Sequence, residues 1–127
     1  MCVYNSGNFV SICKLGTGFS QELLAQITER LSKNAINLDS ETYNFIFPNN
    51  ARPNIFFKPT EVWEVGFDSF TISSAYTVGR GLFHKDSNNG LSIRFPRFLR
   101  YREDKKVNEA DSEMKIIEMY KSQVGLI

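Results

Sequence analysis

Histidine and cysteine are scarce in this 127-residue chain, and their scarcity excludes several kinds of site. His84 is the only histidine, and Cys2 and Cys13 are the only cysteines. These residues lack the spacing of zinc ligands, and two cysteines do not make a disulfide framework. We therefore expect no metal site, two reduced cysteines as in an intracellular protein, and a His84 that is exposed and not catalytic.

Long hydrophobic runs are also missing. Polar residues interrupt the first twenty positions, which argues against a signal peptide. No apolar run approaches the about 18–20 residues that span a membrane, so no membrane partner is expected. The net charge is only +1, and the composition, 42% hydrophobic and 23% charged, is that of one soluble globular domain with a sizeable core.

Aromatic residues, by contrast, are plentiful: the chain has eleven Phe, five Tyr and one Trp. Aromatic side chains suit pleated surfaces, so a β-rich core is predicted. Strand patterns occur at residues 9–15, 62–67, 70–72 and 91–95, with less clear patterns at 43–47 and 55–57. Turn signals lie at residues 16–18, 49–53 and 87–90, the last of which reads as a hairpin turn.

Two helices are predicted. Ser20 can cap the first, which ends near residues 33–34 and places on one face Leu23, Leu24, Ile27 and Leu31. The second begins at Asp111 or Ser112, and its buried face would be formed by Ile116, Ile117, Tyr120 and Val124. The predicted fold class is mainly β: a small β-barrel over residues 1–110, with a helix after the first strand, and a C-terminal helix over residues 111–127 that packs on the barrel or trails it.

The strongest local feature is the run of residues 90–106, called here the basic segment. Among three aromatics it carries six basic side chains: Arg94, Arg97, Arg100, Arg102, Lys105 and Lys106. Arginine and lysine neutralise phosphates, and aromatic rings stack on bases or enter a groove, so this segment predicts contact with a polyanion along one edge. An exposed strand with solvated charges and buried Phe would show the same spacing.

Two residues in the middle of the basic segment need separate interpretation. Phe95 shares parity with Leu91 and Ile93, which is the pattern of a core residue. Pro96 has no N–H to donate, so a bulge or a strand edge is predicted there.

Four segments, in the same order along the chain, resemble one family. Residues 95–105, FPRFLRYREDK, resemble the terminal nucleotidyltransferase motif of eukaryotic ATP-dependent DNA ligases of the ligase I type, with its Arg-x-Asp-Lys core at residues 102–105. Residues 12–20 resemble the opening segment of the same domain, 61–65 its central strand, and 79–82 a short segment between that strand and the motif. Residues 35–58 match least.

The resemblance implies an OB-fold, the C-terminal third of the ligase catalytic core. That domain closes over ATP while the enzyme adenylates itself, and it clasps nicked duplex DNA in the minor groove. The implied contacts to the ATP phosphates are Arg102 and Lys105, with Asp104 holding one of them in place. By the same resemblance Phe95 is an apolar wedge with Arg94 and Arg97 beside it, and the full set of candidate DNA contacts is Arg94, Phe95, Arg97, Arg100, Lys14 and Arg80.

The nucleophile of such a ligase is missing from this chain. Ligases attach AMP to a lysine in a Lys-x-Asp-Gly setting, whereas here Lys85-Asp86 is followed by Ser87. No paired carboxylates are placed to hold magnesium. The resemblance therefore implies a fragment of a larger nuclear ligase, inactive alone. The upstream nucleotidyltransferase and DNA-binding domains would supply the lysine and the metal ligands, and the full enzyme would use ATP and Mg²⁺, neither bound tightly by this chain.

Three other interpretations remain. A freestanding OB module that binds single-stranded nucleic acid would use the same basic and aromatic residues, but it has no use for Arg-x-Asp-Lys. The OB domain of an RNA-capping enzyme shares that motif, although the surrounding residues resemble ligases better. A purely structural barrel leaves the six basic residues unexplained. The Gly16-Thr17-Gly18 sequence lacks a full phosphate-loop pattern and is predicted to be a turn.

Overall fold

The computed structural model describes residues 1–37, 43–83 and 88–123. The predictions for His84, Ser87 and Val124 fall on residues outside these ranges. The two helices are α1 Gln21–Ser32 and α2 Glu113–Gln123, and short 3-10 turns lie at Asn49–Ala51 and Val107–Glu109. The strands are β1 Cys2–Asn5, β2 Asn8–Ser11, β3 Ala35–Ile36, β4 Asn44–Ile46, β5 Phe56–Phe57, β6 Trp63–Gly66, β7 Ser69–Ser73, β8 Gly90–Arg94 and β9 Arg97–Tyr101.

The strands described pair into four small sheets. In the first, β1 and β2 form an antiparallel hairpin and β4 joins β2 in parallel. The other sheets are the antiparallel pairs β3–β5, β6–β9 and β7–β8. The predicted mainly β class, with one helix after the first strands and one at the C-terminus, is confirmed.

The first strand predicted, residues 9–15, is partly wrong. Strand β2 ends at Ser11, and it is preceded by β1, which the sequence analysis missed. Ser6 and Gly7 adopt positive φ angles of 49° and 91° and make the tight turn between the two strands. Ile12 and Cys13 continue the apolar run because they are buried in the core, not because they extend the strand.

The hairpin turn predicted at residues 87–90 includes Ser87, which lies outside the described residues, so it stays a prediction. Strand β8 begins at Gly90 as expected, but its partner β7 ends at Ser73, so residues 74–89 connect the paired strands. Val78, within this connection, forms an isolated antiparallel bridge with Leu91, and both side chains are fully buried. The connection therefore contributes to the core.

One core joins the strands to the C-terminal helix. Ile116 and Ile117 of α2 are buried in it, as predicted, and Tyr120 packs partly buried against it. The Gln123 side chain also accepts a hydrogen bond from the Phe70 N–H (2.7 Å) and donates one to the Phe70 carbonyl (3.3 Å). Helix α2 is thus packed on the strands, while the domain boundary near residue 110 stays a prediction. Other members of the core are Val3, Val10, Ile12, Cys13, Phe70, Val78 and Leu91.

Helix α1 begins as the sequence predicts. The Ser20 hydroxyl accepts a hydrogen bond from the Leu23 N–H at 3.1 Å, which satisfies a free donor of the first turn. Ile27 is buried, whereas Leu24 is 46% exposed, so the apolar residues predicted to share one face are not all buried. The apolar stripe follows the four-residue spacing through Ile27, and Leu24 lies to one side of it.

A charged pair ties α1 to the residues just before strand β6. The Arg30 guanidinium forms a bidentate ion pair with Glu61, with Nη2 to Oε1 at 2.9 Å, and the Trp63 indole donates to the same oxygen at 2.8 Å. These hydrogen bonds lower the pKa of the Glu61 carboxyl, with Arg30 the larger influence. The carboxylate is therefore a stable anchor for Trp63 at the start of β6.

Three further features concern the cysteines, metals and membranes. Cys2 and Cys13 are both free thiols, and burial raises the pKa of the Cys13 thiol. In the ranges the structure describes, no three His, Cys, Asp or Glu side chains come together in a way that could hold a metal ion. Neither described helix is long and apolar enough to cross a membrane.

Candidate nucleic-acid and phosphate interface

The basic segment crosses from one sheet to another at Phe95 and Pro96. Strand β8 pairs with β7, whereas β9 pairs with β6, and the two residues between them lie outside any strand. The interruption predicted at Pro96 is therefore confirmed. It creates a corner at which the chain leaves one edge and begins another.

Phe95 occupies this corner with its ring turned outward. Its φ is +53°, a left-handed conformation that is uncommon for a bulky residue, and 64% of the residue is exposed. The parity with Leu91 and Ile93 is misleading because the left-handed backbone ends the alternation of β8. The Arg94 guanidinium carbon lies 5.1 Å from the ring centroid, within the range of a cation–π contact. The corner thus presents an apolar ring with a cation beside it.

A β-bulge in the β6–β9 pair decides which arginines face outward. Val65 is opposite Phe98 and Glu64 is opposite Arg100, so Leu99 is the extra residue of the bulge. Residues directly opposite each other share a face of the sheet. The bulge therefore lets Phe98 face the interior while Arg97 and Arg100, three positions apart, are both exposed on the other face.

The interior side of this bulge brings together segments far apart in the sequence. The buried Phe98 ring stacks on Phe19 at 5.0 Å and meets the Trp63 ring edge-on at 4.9 Å. The Phe98 N–H donates to the Thr17 carbonyl at 2.8 Å. Gly18 has a φ of +97°, and a Cβ there would collide with the Phe98 backbone. The Gly16–Gly18 segment joins β2 to α1, as predicted, and supports β9.

The outward-facing side chains of the basic segment, called here the outer face, fall into two halves. The first half consists of Arg94, Phe95, Arg97 and Arg100, and the ion pairs of its arginines are weak. The Arg97 side chain extends over Gly66, and its Nη1 lies 3.4 Å from Asp68 Oδ1. Arg100 pairs with Glu64 at 3.2 Å and 3.5 Å. The side chains of Arg97 and Arg100 are 47% and 59% exposed. Exposed pairs of this length contribute little and are readily exchanged for another anion.

The second half of the outer face consists of Arg102, Asp104 and Lys105, and short hydrogen bonds fix its arginine in place. Arg102 Nε and Nη2 donate to the two oxygens of Asp104 at 2.9 Å and 2.8 Å, and Nη1 lies 3.3 Å from Glu64 Oε1. Its backbone N–H donates to the Val62 carbonyl at 2.8 Å. The Arg102 hydrogen bonds hold the pKa of the Asp104 carboxyl well below its usual range, and Asp104 raises that of Arg102.

Two exposed lysines, Lys105 and Lys106, follow Arg102 closely in the sequence. Lys105 is exposed, and its backbone N–H donates to the Arg102 carbonyl at 3.2 Å. Lys106 is exposed as well, and its backbone N–H donates to Glu109 Oε1 at 2.8 Å. The motif residues 102–105 therefore form a turn that projects basic groups beyond the end of β9.

Lys14 and Arg80 are exposed but lie in other loops. Lys14 follows the buried Cys13 in the β2–α1 connection, and Arg80 lies between Gly79 and Gly81 in the connection that packs on α2. Within residues 1–37, 43–83 and 88–123, no hydrogen bond or ion pair joins either side chain to β9. The structure thus joins Arg97, Arg100 and Arg102 to carboxylates beside β9 and leaves Lys14 and Arg80 apart from them.

Sequence reasoning missed Glu64 and Gly66 of β6 and Asp68 of the β6–β7 turn, which contact the arginines. The alternation within Trp63–Gly66 places Glu64 opposite in direction to Val65, but only the register of the bulge shows that it faces Arg100. Gly66 carries no pattern of its own, and its role depends on Arg97 lying over it.

The fold and the site together define an OB-fold domain with a basic outer strand. Comparison with known families then identifies it: residues 1–105 match the family described as the C-terminal region of ATP-dependent DNA ligases, and the chain belongs to that family. The OB-fold expected from the resemblance is confirmed by this match and by the mainly β structure.

Individual relatives agree with this assignment. The chain is 41% identical over 119 residues to DNA ligase 1 of Saccharomyces cerevisiae, a match that covers 94% of the chain and 15% of the relative. It is 41% identical over 115 residues to DNA ligase 1 of Arabidopsis thaliana, covering 91% of the chain and 14% of the relative. The DNA ligase of Saccharolobus solfataricus is 35% identical over 125 residues, covering 97% and 20%. The chain thus spans a fifth or less of the length of these relatives.

Proposed function

We propose that this chain is the domain of a nick-sealing, ATP-dependent DNA ligase that meets DNA with one half of its outer face and the ATP phosphates with the other. The observation that carries the proposal is the outward Phe95 at a left-handed corner, with Arg94 and Arg97 on either side. A bulky apolar side chain is held there against the preference of the backbone and of water. Contact of the Phe95 ring with a nucleic-acid groove would explain why that conformation is kept.

The first half suits the minor groove beside a nick. An apolar ring can enter between bases of distorted DNA, while arginines track the phosphates on either side. Phe95 would act as the wedge, and Arg94, Arg97 and Arg100 would contact phosphates, since their carboxylate partners are exposed and exchangeable. Lys14 and Arg80 are weaker candidates for the same DNA because they lie on other loops.

The second half suits a fixed phosphate group. Arg102 and Lys105 would hold the β and γ phosphates of ATP when the domain closes, and Asp104 would keep the Arg102 guanidinium in one orientation. ATP supplies the AMP group in such an enzyme, and fixed cations stabilise the charge that gathers on the departing pyrophosphate. The lysine that accepts AMP and the ligands for Mg²⁺ are assigned to upstream domains of the full enzyme.

The chain by itself should not catalyse adenylation, since it has no Lys-x-Asp-Gly sequence. Incubation of the purified chain with labelled ATP tests this directly, and transfer of labelled AMP onto the chain would refute it. The relatives named DNA ligase 1, such as those of Saccharomyces cerevisiae and Arabidopsis thaliana, come from eukaryotes, which supports a nuclear location and roles in DNA replication, repair and recombination.

Fluorescence anisotropy of the purified chain tests the DNA half. We expect tighter binding to a nicked duplex than to an intact duplex or a single strand. The logarithm of the association constant should fall with the logarithm of salt concentration with a slope of about 0.9 per phosphate contacted. Lys115→Ala, which removes an exposed charge from α2, is the matched control and should leave the slope unchanged. A preference for single strands would favour a freestanding OB module instead.

A further inference from the structure

We infer that Glu64 is a positioning residue that separates the two halves of the outer face, restraining Arg100 from DNA phosphates while completing the clamp on Arg102. The inference rests on the proposed function, because it assigns the two arginines to different phosphates. Its basis is a single carboxylate that both guanidinium groups share.

The contacts of Glu64 are divided between the two arginines. Glu64 Oε2 accepts from Arg100 Nε at 3.2 Å, and Oε1 lies 3.5 Å from Arg100 Nη2 and 3.3 Å from Arg102 Nη1. The Glu64 side chain is 38% exposed, so it is reachable from the solvent side where DNA would approach. A phosphate that binds Arg100 must therefore replace a carboxylate already in place.

The bulge in β9 is what makes this sharing possible. With regular pairing beyond Val65 and Phe98, Glu64 would lie opposite Leu99. The extra residue shifts the register by one, so that Glu64 lies opposite Arg100. Arg102, two positions further along the chain and just past the end of β9, then reaches the same carboxylate.

The two arginines depend on Glu64 to different degrees. Arg102 keeps both strong hydrogen bonds to Asp104 if Glu64 loses its charge. Arg100 forms no other hydrogen bond or ion pair with a side chain in the part of the chain that the structure describes. Neutralising Glu64 should therefore release Arg100 and leave Arg102 nearly in place.

Binding of nicked duplex by the Glu64→Gln variant is the first arm of the test. We expect the affinity to rise about two- to fivefold, the range that an exposed ion pair allows, and the salt slope to steepen by up to about one. In an Arg100→Ala background the same substitution should have no effect. Unchanged or weaker binding by Glu64→Gln would overturn the inference, since a residue needed only for folding gives a loss in both backgrounds.

The second arm requires no DNA. Hydrogen exchange of the arginine Nε–H groups, followed by NMR, should be faster at Arg100 in Glu64→Gln and unchanged at Arg102, whose Nε–H is held by Asp104. Unchanged exchange at Arg100 would overturn the role of Glu64. If the exchange behaves as expected but neither the wild type nor the variant prefers a nicked duplex, the proposed DNA function of this face fails instead, and the restraint on DNA binding fails with it.

Discussion

The two halves of the outer face differ in how their arginines are held. At the Phe95 end, Arg97 and Arg100 make long, exposed contacts of 3.2–3.5 Å with Asp68 and Glu64. At the other end, Arg102 is only 24% exposed and forms a bidentate pair with Asp104 at 2.8–2.9 Å. Strand β9 therefore carries exchangeable cations, and the turn that follows it carries a fixed one.

This difference matches two kinds of phosphate. DNA phosphates are repeated along a backbone, so exposed and weakly paired arginines can adjust to them, and the contribution of these arginines depends on salt. A triphosphate presents its charge at one place during one reaction, so an arginine already oriented loses little in meeting it. The comparison predicts that substitutions at the two ends affect different steps of ligation.

The largest effect should come from Arg102→Ala in a full-length ligase that carries this domain. We expect self-adenylation to slow about 100-fold, because a fixed cation that stabilises developing charge is worth roughly that much. The measurement is the rate of transfer of labelled AMP from ATP. Arg100→Ala is the matched control on the same strand, and an equally large loss in that variant would abolish the distinction between the two ends.

Glu61→Gln should sharpen the comparison because it should destabilise the fold beneath both halves of the outer face to the same extent. Replacing a carboxylate that accepts from Arg30 and Trp63 should lower the free energy of unfolding by about 1–3 kcal/mol. Because the folded-state pKa of Glu61 is lowered, its contribution is present above the ordinary value of 4.5 and is lost as the pH falls through the folded value.

Thermal unfolding of the wild type and Glu61→Gln across pH measures this contribution. The difference in Tm should be full at pH 7 and should vanish in acid. A difference that persists unchanged well below pH 4 would show that the carboxylate charge is not its source.

Phe95→Ala should weaken binding of the chain to nicked duplex about tenfold, since one stacked aromatic contributes about 1–3 kcal/mol. Phe95→Gly serves as the control for backbone strain, because glycine accepts the φ of +53° without cost. Both variants should lose affinity, and Phe95→Gly should have the higher Tm of the two. Wild-type affinity in either variant would remove Phe95 from the interface.

Gly66→Ala should have the smallest effect. A Cβ there would lie 3.2 Å from the Arg97 Nε and guanidinium carbon, so the side chain must shift. We expect about a twofold loss of nicked-duplex affinity, within the range of one surface contact. Gly16→Ala, whose Cβ would meet open space, is the matched control. An equal loss in both variants would mean that the position of Arg97 does not matter.

Local sequence patterns predicted the elements better than the face they build. The Ser20 cap and the buried Ile116 and Ile117 follow from rules that act within one helix, and the structure confirms them. The interruption at Pro96 follows from a missing donor. These features depend on residues that are close together in the sequence, so a single sequence is enough to predict them.

The site needed information that no local pattern carries. Parity placed Phe95 in the core, but a single left-handed residue reversed it. The joint exposure of Arg97 and Arg100 depends on the bulge at Leu99, and the role of Glu64 depends on the register with β6. The resemblance to ligases supplied the candidate residues, whereas the pairing of strands supplied the partners that they contact.

Sealing of a pre-adenylated nick without ATP is the measurement that tests the division of the outer face most directly. A full-length ligase carrying Phe95→Ala should seal such nicks more slowly than the wild type at limiting DNA, whereas Arg102→Ala should retain most of its sealing rate despite its loss of self-adenylation. Equal losses of sealing in the two variants would contradict the account, because they would show that the two halves of the outer face serve the same step.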